Sequence, residues 1–274
     1  MTQLYDNATP IINLEQGLIY IRDAVISNDA TTPNTVLNVS AGIMRDSSNT
    51  YDLILGNYNG QVNAKSTANV VTVVNAAVKG LNGLDTGSLL ASKVYYVYMI
   101  ADPVSGLTSG VVLSLAVPSV GPLLPFGYSA YRLIGYAVTD ASSHFLKMYN
   151  AGNSNARRLT YDTPQSTSIS AGAATAYFGI DLSSFIPTLP INQIVQINYS
   201  YIPATAGNKL SLQPANATGA AQVITGQVAT VSVSGTVDVN AQIVSAGTTP
   251  EINYKVGNSS DFADINVAGF NFYL

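Results

Sequence analysis

The single histidine, His144, is the first residue to consider for catalysis, because serine-hydrolase triads and many metal sites depend on histidine. It lies at the predicted start of a strand, in the run Ser142-Ser143-His144-Phe145, and the chain has no G-x-S-x-G nucleophile elbow. The absence of cysteine excludes thiol redox chemistry, disulfides and cysteine-ligated zinc. The sequence therefore favours a structural role for His144 at a hairpin end.

Carboxylates are the second candidates, because a pair of them can act as acid and base on a glycosidic bond. The closest pair in the last third is Asp261 and Asp264, which directly precede a predicted strand. Carboxylate oxygens also suit calcium, but the spacing of an EF-hand is absent. The sequence favours a turn with solvated carboxylates over a calcium site or a catalytic site.

The remaining acidic motifs point to turns. Asp46, Asp52 and Asp85 fit turn and cap positions. The tripeptide Asp85-Thr86-Gly87 matches that of aspartic proteases, but no second copy occurs to complete a dyad. A glycine-rich phosphate loop with its lysine is also absent. We therefore expect no catalytic residue, no metal ligand and no cofactor.

Tyrosine is the side chain best suited to recognition. The chain has 17 tyrosines and no tryptophan, and four of the tyrosines, Tyr95, Tyr96, Tyr128 and Tyr131, lie in its middle part. A tyrosine offers a large apolar ring with a hydroxyl group, which suits interfaces and sugar contacts. Alternate tyrosines on a strand can equally fill the rim of a core. Both roles stay open for these four residues.

The composition excludes several classes of protein. Only 9% of the 274 residues are charged, against about 25% in an ordinary domain. Eleven basic side chains spread through an acidic chain cannot form the footprint of a nucleic-acid binder. A hydrophobic content of 47% with a net charge of −4 excludes disorder. The longest apolar runs span about eight residues, so we expect no membrane insertion.

Apolar and polar residues alternate with period two along most of the chain, which is typical of half-buried strands. Turn signals such as Asn82-Gly83 and Gly207-Asn208 separate these segments. The pattern predicts an all-β protein with two β-sandwich or jelly-roll-like domains. The main strand candidates are 36–44, 51–55, 69–78, 94–101, 111–117, 131–138, 145–149, 193–201, 230–240, 252–256 and 265–274.

Three segments are predicted: an N-terminal arm over 1–34, a β domain over 35–162, and a C-terminal β-sandwich over 163–274. The second boundary rests on a loop at 150–155, the basic pair Arg157-Arg158 and a linker-like run after it.

The secondary structure of the arm stays open. Asn13 and Gln16 have capping-box spacing, and apolar residues recur at helical positions as far as Val25. The run Ile19-Tyr20-Ile21 favours a strand instead. A polar linker is predicted from Ser27 to Asn34.

An ordered set of motifs fills the middle of the chain. It comprises Gly83-Leu-Asp-Thr-Gly-Ser, Lys93-Val-Tyr-Tyr-Val-Tyr-Met-Ile, Leu124-Pro-Phe-Gly-Tyr, Tyr131-Arg-Leu-Ile-Gly, Thr139-Asp and Phe145-Leu. This set, within residues 36–150, resembles a module of tailed-bacteriophage virion proteins, including tail-fibre, head-fibre and decoration-like proteins. The resemblance implies structural roles for seven residues. Gly83, Asp85 and Gly87 would form one turn, Pro125 and Gly127 the next, and Arg132 and Gly135 the strand beyond it.

The resemblance implies a non-enzymatic structural protein, made in the host cytoplasm and located in the virion. Its arm and first β domain would attach to the capsid or tail, and its C-terminal sandwich would face outward. Implied partners are further copies of the chain, with a trimer as the first expectation, other virion proteins, and host-surface polysaccharide. The chain lacks a collagen-like or heptad stalk, which favours a compact component over a long fibre.

Two alternatives to a virion protein remain. The first is a secreted bacterial adhesin or carbohydrate-binding module, and the second is a polysaccharide depolymerase.

Overall fold

The computed structural model describes residues 20–56, 70–104, 107–152, 155–189, 193–217, 221–244 and 249–274. These residues form nineteen strands and no helix, so the prediction of an all-β protein with large antiparallel sheets of the β-sandwich type is confirmed. In chain order the strands are β1 (Ile21–Asp23), β2 (Ile26–Asn28), β3 (Val36–Ser40), β4 (Gly42–Arg45), β5 (Asp52–Leu55), β6 (Val70–Asn75), β7 (Gly83–Leu84), β8 (Val94–Asp102), β9 (Leu107–Ser114), β10 (Ala130–Val138), β11 (Met148–Ala151), β12 (Ala156–Ser166), β13 (Phe178–Asp181), β14 (Gln193–Ile202), β15 (Lys209–Pro214), β16 (Gln222–Thr225), β17 (Val233–Val244), β18 (Thr249–Val256) and β19 (Phe262–Tyr273).

The largest sheet has twelve strands, and its order is β16-β15-β18-β17-β14-β19-β12-β11-β2-β3-β6, with β13 paired to β18. The late strand β19 lies near the middle, between β14 and β12, and pairs with both in antiparallel register. Apolar residues of β19 that alternate toward the core, such as Ile265 and Val267, are fully buried. The first and last parts of the described chain are therefore joined in one continuous sheet.

A four-stranded sheet, ordered β10-β8-β9-β7, packs on the large sheet through aromatic rings. Tyr136 of β10 meets Phe270 and Phe272 of β19 edge-on, with ring centroids 5.8 Å and 4.9 Å away. The small sheet β1-β4-β5 contributes β5, which packs against β8 and β9. Because neighbours cover β8 on both faces, eight of its nine residues are buried, which accounts for its nearly continuous apolar sequence.

Where the structure describes the N-terminal segment, it takes the strand alternative rather than the helix, and the linker predicted from Ser27 to Asn34 begins with the last two residues of β2. Ile21–Asp23 pairs with β4, and Ile26–Asn28 pairs with β3 and β11. Asp23, the last residue of β1, and Ala24, the residue after it, both have a positive φ, of 54° and 52°. The extended conformation is favoured because it buries Ile21 and Ile26 in the core. Strand pairing also provides hydrogen-bond partners for the backbone N–H and C=O groups. Asn13 and Gln16 lie outside the described residues.

Most strand predictions coincide with observed strands, but β13, β15 and β16 were not predicted, and one predicted linker belongs to a strand. Residues 163–168, predicted as a linker, mostly belong to β12, which runs through the proposed boundary at 162/163. Its residues Ala156 to Thr160, and then Gln165 and Ser166, pair with β19, with a register shift between Thr160 and Gln165. The three-segment division itself stays a prediction. Within the described ranges, no helical segment has the length and apolarity needed to cross a bilayer.

Candidate functional site

The first motif turn is held by contacts to three parts of the chain. The Asp85 carboxylate accepts a hydrogen bond from the Leu123 amide at 3.1 Å, so it joins this turn to the loop at 115–126. The Tyr95 hydroxyl accepts from the Leu90 amide at 2.7 Å and donates to the Ser88 carbonyl. The Thr139 hydroxyl donates to the Leu90 carbonyl at 2.7 Å. Motif residues far apart in sequence thus support one another.

The two glycines of this turn serve different purposes. Gly87 has a φ of +69°, in the left-handed region that favours glycine, and a Cβ there would meet no atom within 4 Å. A Cβ on Gly83 would instead lie 2.2 Å from the Val78 carbonyl oxygen. That oxygen accepts the Leu84 amide at 2.8 Å, so it cannot move aside without loss of the bond. Gly83 is required by close backbone approach, and Gly87 by backbone conformation.

We therefore expect Gly83→Ala to be the more damaging of the two substitutions. The backbone clash at position 83 should cost about 2–3 kcal/mol of unfolding free energy, whereas Gly87→Ala should cost about 1 kcal/mol through its positive φ. Urea unfolding of both variants measures the difference. Equal losses would show that the approach of Gly83 to Val78 is not tight in solution.

The second motif turn presents apolar side chains to the outside. The Tyr128 amide donates to the Pro125 carbonyl at 3.1 Å, and Gly127 has a φ of +89°. Phe126 between them is fully exposed, and Val120 and Leu123 earlier in the loop are mostly exposed. Three exposed large apolar side chains in one loop are typical of an interaction surface.

The four candidate tyrosines separate into two classes. Tyr95 and Tyr96 are only 2% and 4% exposed, and the Tyr96 hydroxyl donates to the Thr188 carbonyl at 3.1 Å. Of the two roles left open by the sequence, these residues therefore have the core role, because their rings are closed to an external sugar. Tyr128 and Tyr131 are half-buried and keep part of their surface accessible.

A cleft of about 270 Å³ opens beside Tyr131, where β10, the end of β19 and the segment before residue 190 meet. We call it the tyrosine–arginine cleft, and define it by Tyr98, Tyr131, Arg132, Tyr136, Leu189 and Tyr273. The Tyr131 ring meets the Tyr98 ring edge-on at 5.7 Å, and the Tyr98 hydroxyl donates to the Ala116 carbonyl at 2.7 Å. The aromatic walls are thus fixed by their own contacts.

Arg132 is the only charged side chain among the described residues that line this cleft. Its guanidinium makes no hydrogen bond, and no ion pair within 4 Å, to the part of the chain that the structure describes. Burial lowers the pKa of Arg132 below its ordinary value, and the more distant Asp46 raises it in part. Asp46 is itself occupied, because its two oxygens accept the amides of Ser48, Thr50 and Tyr51 and the Ser48 hydroxyl.

Gly135, three residues along the same strand, lies next to a β-bulge. The pairing of β10 with β8 shifts register between Leu133 and Gly135. A Cβ on Gly135 would lie 2.7 Å from the Ile26 Cδ1 atom, so the missing side chain lets β2 approach β10. The bulge also changes the direction of the residues before it, which include Tyr131 and Arg132.

His144 has a hairpin role in the structure. It is exposed, and its Nδ1 lies 3.7 Å from the Asp140 carboxylate. That carboxylate also accepts the amides of Ser142 and His144, which closes the turn. Among the described residues, no group of three histidine, cysteine or acidic side chains could hold a metal ion.

The prediction of a turn with solvated carboxylates at Asp261 and Asp264 is wrong for Asp261, which is buried, and only partly correct for Asp264, which is exposed but lies within strand β19. Asp264 is exposed and accepts the Ala171 amide at 2.7 Å. Asp261 is fully buried and accepts from the Tyr201 hydroxyl, the Ala204 amide, the Asn208 side-chain amide and the Asn258 amide, at 2.7–3.0 Å. Its burial follows from these four donors, which replace the hydrogen bonds of water.

The basic pair used to predict the second boundary is divided between the interior and the surface. Arg157 is only 4% exposed, and its guanidinium donates to the carbonyls of Ala24, Ile134 and Asp23. Arg158 next to it is half-buried and lies 3.7 Å from Asp238. The alternation of a strand, which places neighbours on opposite faces, was the available signal for this difference.

Comparisons with known proteins leave the family open. No family model matches the chain, and no curated protein sequence matches it. Among solved structures, a carbohydrate-binding module (CBM6cm-2) of Cellvibrio mixtus lichenase 5A, in complex with cellotriose, aligns at 12% identity over 44% of this chain and 86% of its own, with a TM-score of 0.21. A tryptic core variant of Bacillus thuringiensis Cry1Da aligns at 8% identity over 92% of this chain and 51% of its own, with a TM-score of 0.26. An exo-β-1,3-galactanase of Phanerochaete chrysosporium aligns at 14% identity over 92% and 68%, with a TM-score of 0.20. TM-scores this low do not establish a shared fold.

Proposed function

We propose that this chain is a non-enzymatic structural protein of a tailed-bacteriophage virion, attached to the capsid or tail and assembled as a homo-oligomer. The observation that carries the proposal is the convergence of the phage-like motifs in one sheet. The turn at Gly83, the strand at Tyr95 and the Thr139-Asp140 pair are linked by side-chain hydrogen bonds. Motifs that are joined by hydrogen bonds in the fold support the resemblance to the phage module more strongly than each short sequence match does alone.

The apolar loop at 115–126 supports attachment to another protein. Val120, Leu123 and Phe126 are exposed in the single chain, and exposed apolar side chains of this size favour burial against a partner. The loop is held in place by the bond from the Leu123 amide to Asp85, so it is presented without a large ordering cost on binding. On this proposal, the loop faces the virion or a neighbouring copy.

The location of the chain in purified virions tests the proposal. Virions of a phage that encodes the chain would be labelled with gold-conjugated antibody raised against the full chain, and imaged by electron microscopy. We expect label on the capsid or the tail, and no label on virions from a phage in which the gene is deleted. Absence of label from intact, non-deleted virions would contradict the proposal.

The oligomeric state is tested separately by light scattering on the purified chain. We expect a particle of three times the chain mass of 28.7 kDa. Phe126→Ser should reduce the trimer fraction if the loop at 115–126 joins the copies, whereas an unchanged trimer would assign the loop to the virion.

A second candidate function, a carbohydrate-binding module or adhesin, is favoured by the tyrosine–arginine cleft. Aromatic walls with one cationic donor are suited to a sugar ring. Selective binding on a glycan array, together with no label on virions, would favour this candidate. A depolymerase is disfavoured by the lack of a carboxylate pair in the cleft, and loss of viscosity from host capsule after incubation would restore it.

A further inference from the structure

We propose that the tyrosine–arginine cleft binds a carboxylate-bearing sugar, such as a uronate or sialate unit of a host-surface polysaccharide. This inference rests on the second candidate function, carbohydrate binding, and it does not depend on the location of the chain in a virion. Four features of the cleft carry the argument: its cation, its rings, its unpaired hydroxyl and its size.

The cation is the first feature. A partly buried guanidinium has lost part of its hydration, and it normally regains that free energy from carboxylates or carbonyls. Arg132 has neither within bonding distance among the described residues, and Asp46 has its oxygens filled by four donors of its own loop. A planar ligand carboxylate matches the paired N–H groups of arginine, and forms two charge-assisted bonds with them.

The rings are the second feature. Tyr131 is half-buried and Tyr273 is 63% exposed, so both residues, which line the cleft together with Arg132, offer accessible surface. Aromatic surface of this kind suits the apolar face of a pyranose ring. The arginine and the rings together select a ligand that is charged on one side and apolar on the other.

The unpaired hydroxyl is the third feature. Tyr136 lines the same cleft, and its hydroxyl is buried without a hydrogen-bond partner in the described residues. A buried hydroxyl without a partner costs about 1–3 kcal/mol. The cleft therefore contains two polar groups without hydrogen-bond partners among the described residues, the Arg132 guanidinium and the Tyr136 hydroxyl. Such groups are typical of binding sites and uncommon in cores.

The size is the fourth feature. The volume of about 270 Å³ lies just below the range of pockets for drug-sized ligands, ~300–1,000 Å³. It fits one or two sugar rings rather than an extended chain. We therefore expect recognition of a single charged unit, with the rest of the polysaccharide outside the cleft.

Titration calorimetry with the full chain tests the inference. The probes are tetragalacturonate, a hyaluronate tetrasaccharide and disialic acid, and the matched neutral probe is methyl-esterified tetragalacturonate, which keeps the rings and removes the charge. We expect at least one acidic probe to bind, more weakly at high salt, and the methyl ester to bind at least ~10-fold more weakly than its acid where the acid binds.

Variants assign the binding to the cleft. Arg132→Gln should lower the affinity for the bound acidic probe by ~10-fold or more, and Arg132→Lys should restore only part of it, because lysine lacks the planar fork. Tyr273→Ala, at an exposed position, tests the ring contact without disturbing the core. The control is Arg158→Gln, which removes a cation outside the cleft and should leave the affinity unchanged.

Three outcomes would overturn the inference: no binding of any acidic probe, equal binding of tetragalacturonate and its ester, or unchanged affinity in both Arg132→Gln and Tyr273→Ala. If Arg132→Gln does not fold, the Tyr273→Ala variant and the ester comparison decide alone. None of these outcomes bears on virion location, so failure here and failure of the virion proposal are distinguishable.

Discussion

Arg157→Met is expected to lower the unfolding free energy by about 3 kcal/mol, one of the two largest effects predicted for this chain. The side chain reaches from β12 to the carbonyls of Asp23, at the end of β1, and of Ala24 next to it, and to the carbonyl of Ile134 in β10. Methionine keeps the apolar stem and removes all of these donors. The buried carbonyls would then lack partners, and each costs free energy when it is left unpaired.

The backbone conformation at Asp23 and Ala24 makes the expected loss of stability in Arg157→Met larger than that for substitution of a surface arginine. Asp23 and Ala24 both have a positive φ, which costs about 1–2 kcal/mol per residue for a side chain with a Cβ. The guanidinium holds their carbonyls in this conformation. Burial lowers the pKa of Arg157 to about 10, so the group still carries its charge at neutral pH. We therefore expect the Arg157→Met substitution to loosen the link between β1, in the three-stranded sheet, and the large sheet that contains β2 and β12.

Thermal and urea unfolding of the full chain measure the loss. A change of about 3 kcal/mol corresponds to a fall of roughly 6–12 °C in the melting temperature for a protein of this size. Arg158→Met is the matched control, because it removes a neighbouring arginine that makes one surface ion pair, and it should cost about 0.5 kcal/mol or less. Equal effects of the two variants would show that the carbonyl contacts of Arg157 contribute little.

Asp261→Asn is expected to have an effect of similar size, about 2–4 kcal/mol at neutral pH. The wild-type carboxylate accepts four hydrogen bonds and donates none. An asparagine keeps the shape but presents an NH₂ group to two of these donors. The loop at Ala204 and Asn208 and the turn at Asn258 would lose their common anchor.

The effect should depend on pH in a defined direction. Burial raises the pKa of Asp261, but the bonds from Ala204, Asn208, Tyr201 and Asn258 outweigh it and hold the pKa below the ordinary 3.8. A carboxyl with a depressed pKa in the folded state contributes its stability in full above the unfolded value, and loses it as the pH falls through the folded value. The wild-type chain should therefore lose this contribution in the acid range below about pH 4.

Urea unfolding at about pH 7 and about pH 3 tests this dependence. The difference between wild type and Asp261→Asn should shrink in acid. Asp264→Asn is the control, three residues away and exposed, and should change stability little at either pH. If the difference in unfolding free energy between wild type and Asp261→Asn stays constant from neutral to acid pH, the expected pH dependence is wrong.

The strand pattern was predictable because it is local. The alternation in β14 and the continuous apolar run of β8 follow from whether one face or two faces of a strand are covered. Strand β12 was missed because the run Thr163-Pro-Gln-Ser166 has the composition of a linker. Its extended form depends on pairing with β19, about a hundred residues later, and no local signal reports such a partner.

The roles of the side chains with the largest expected effects on stability were also not predictable, because their partners are distant in sequence. Asp261 accepts from residues 57 and 53 positions away, and Arg157 donates to carbonyls 133 and 134 positions away. Bonds from side chains to distant loops have no periodicity in sequence. Arg132 was assigned a structural role by resemblance, whereas its place in a cleft depends on β19 and the segment before residue 190, which lie far along the chain.

The central position of β19 has a consequence for how the chain folds during synthesis. The strands on its two sides, β14 and β12, are joined in the sheet only through it, and it leaves the ribosome after the other eighteen described strands. Pairing of this kind has a high contact order, so the closing step is expected to be slow. Until residues 262–273 emerge, β12 and β14 each expose an unpaired edge, and chaperones or neighbouring nascent chains can reach those edges.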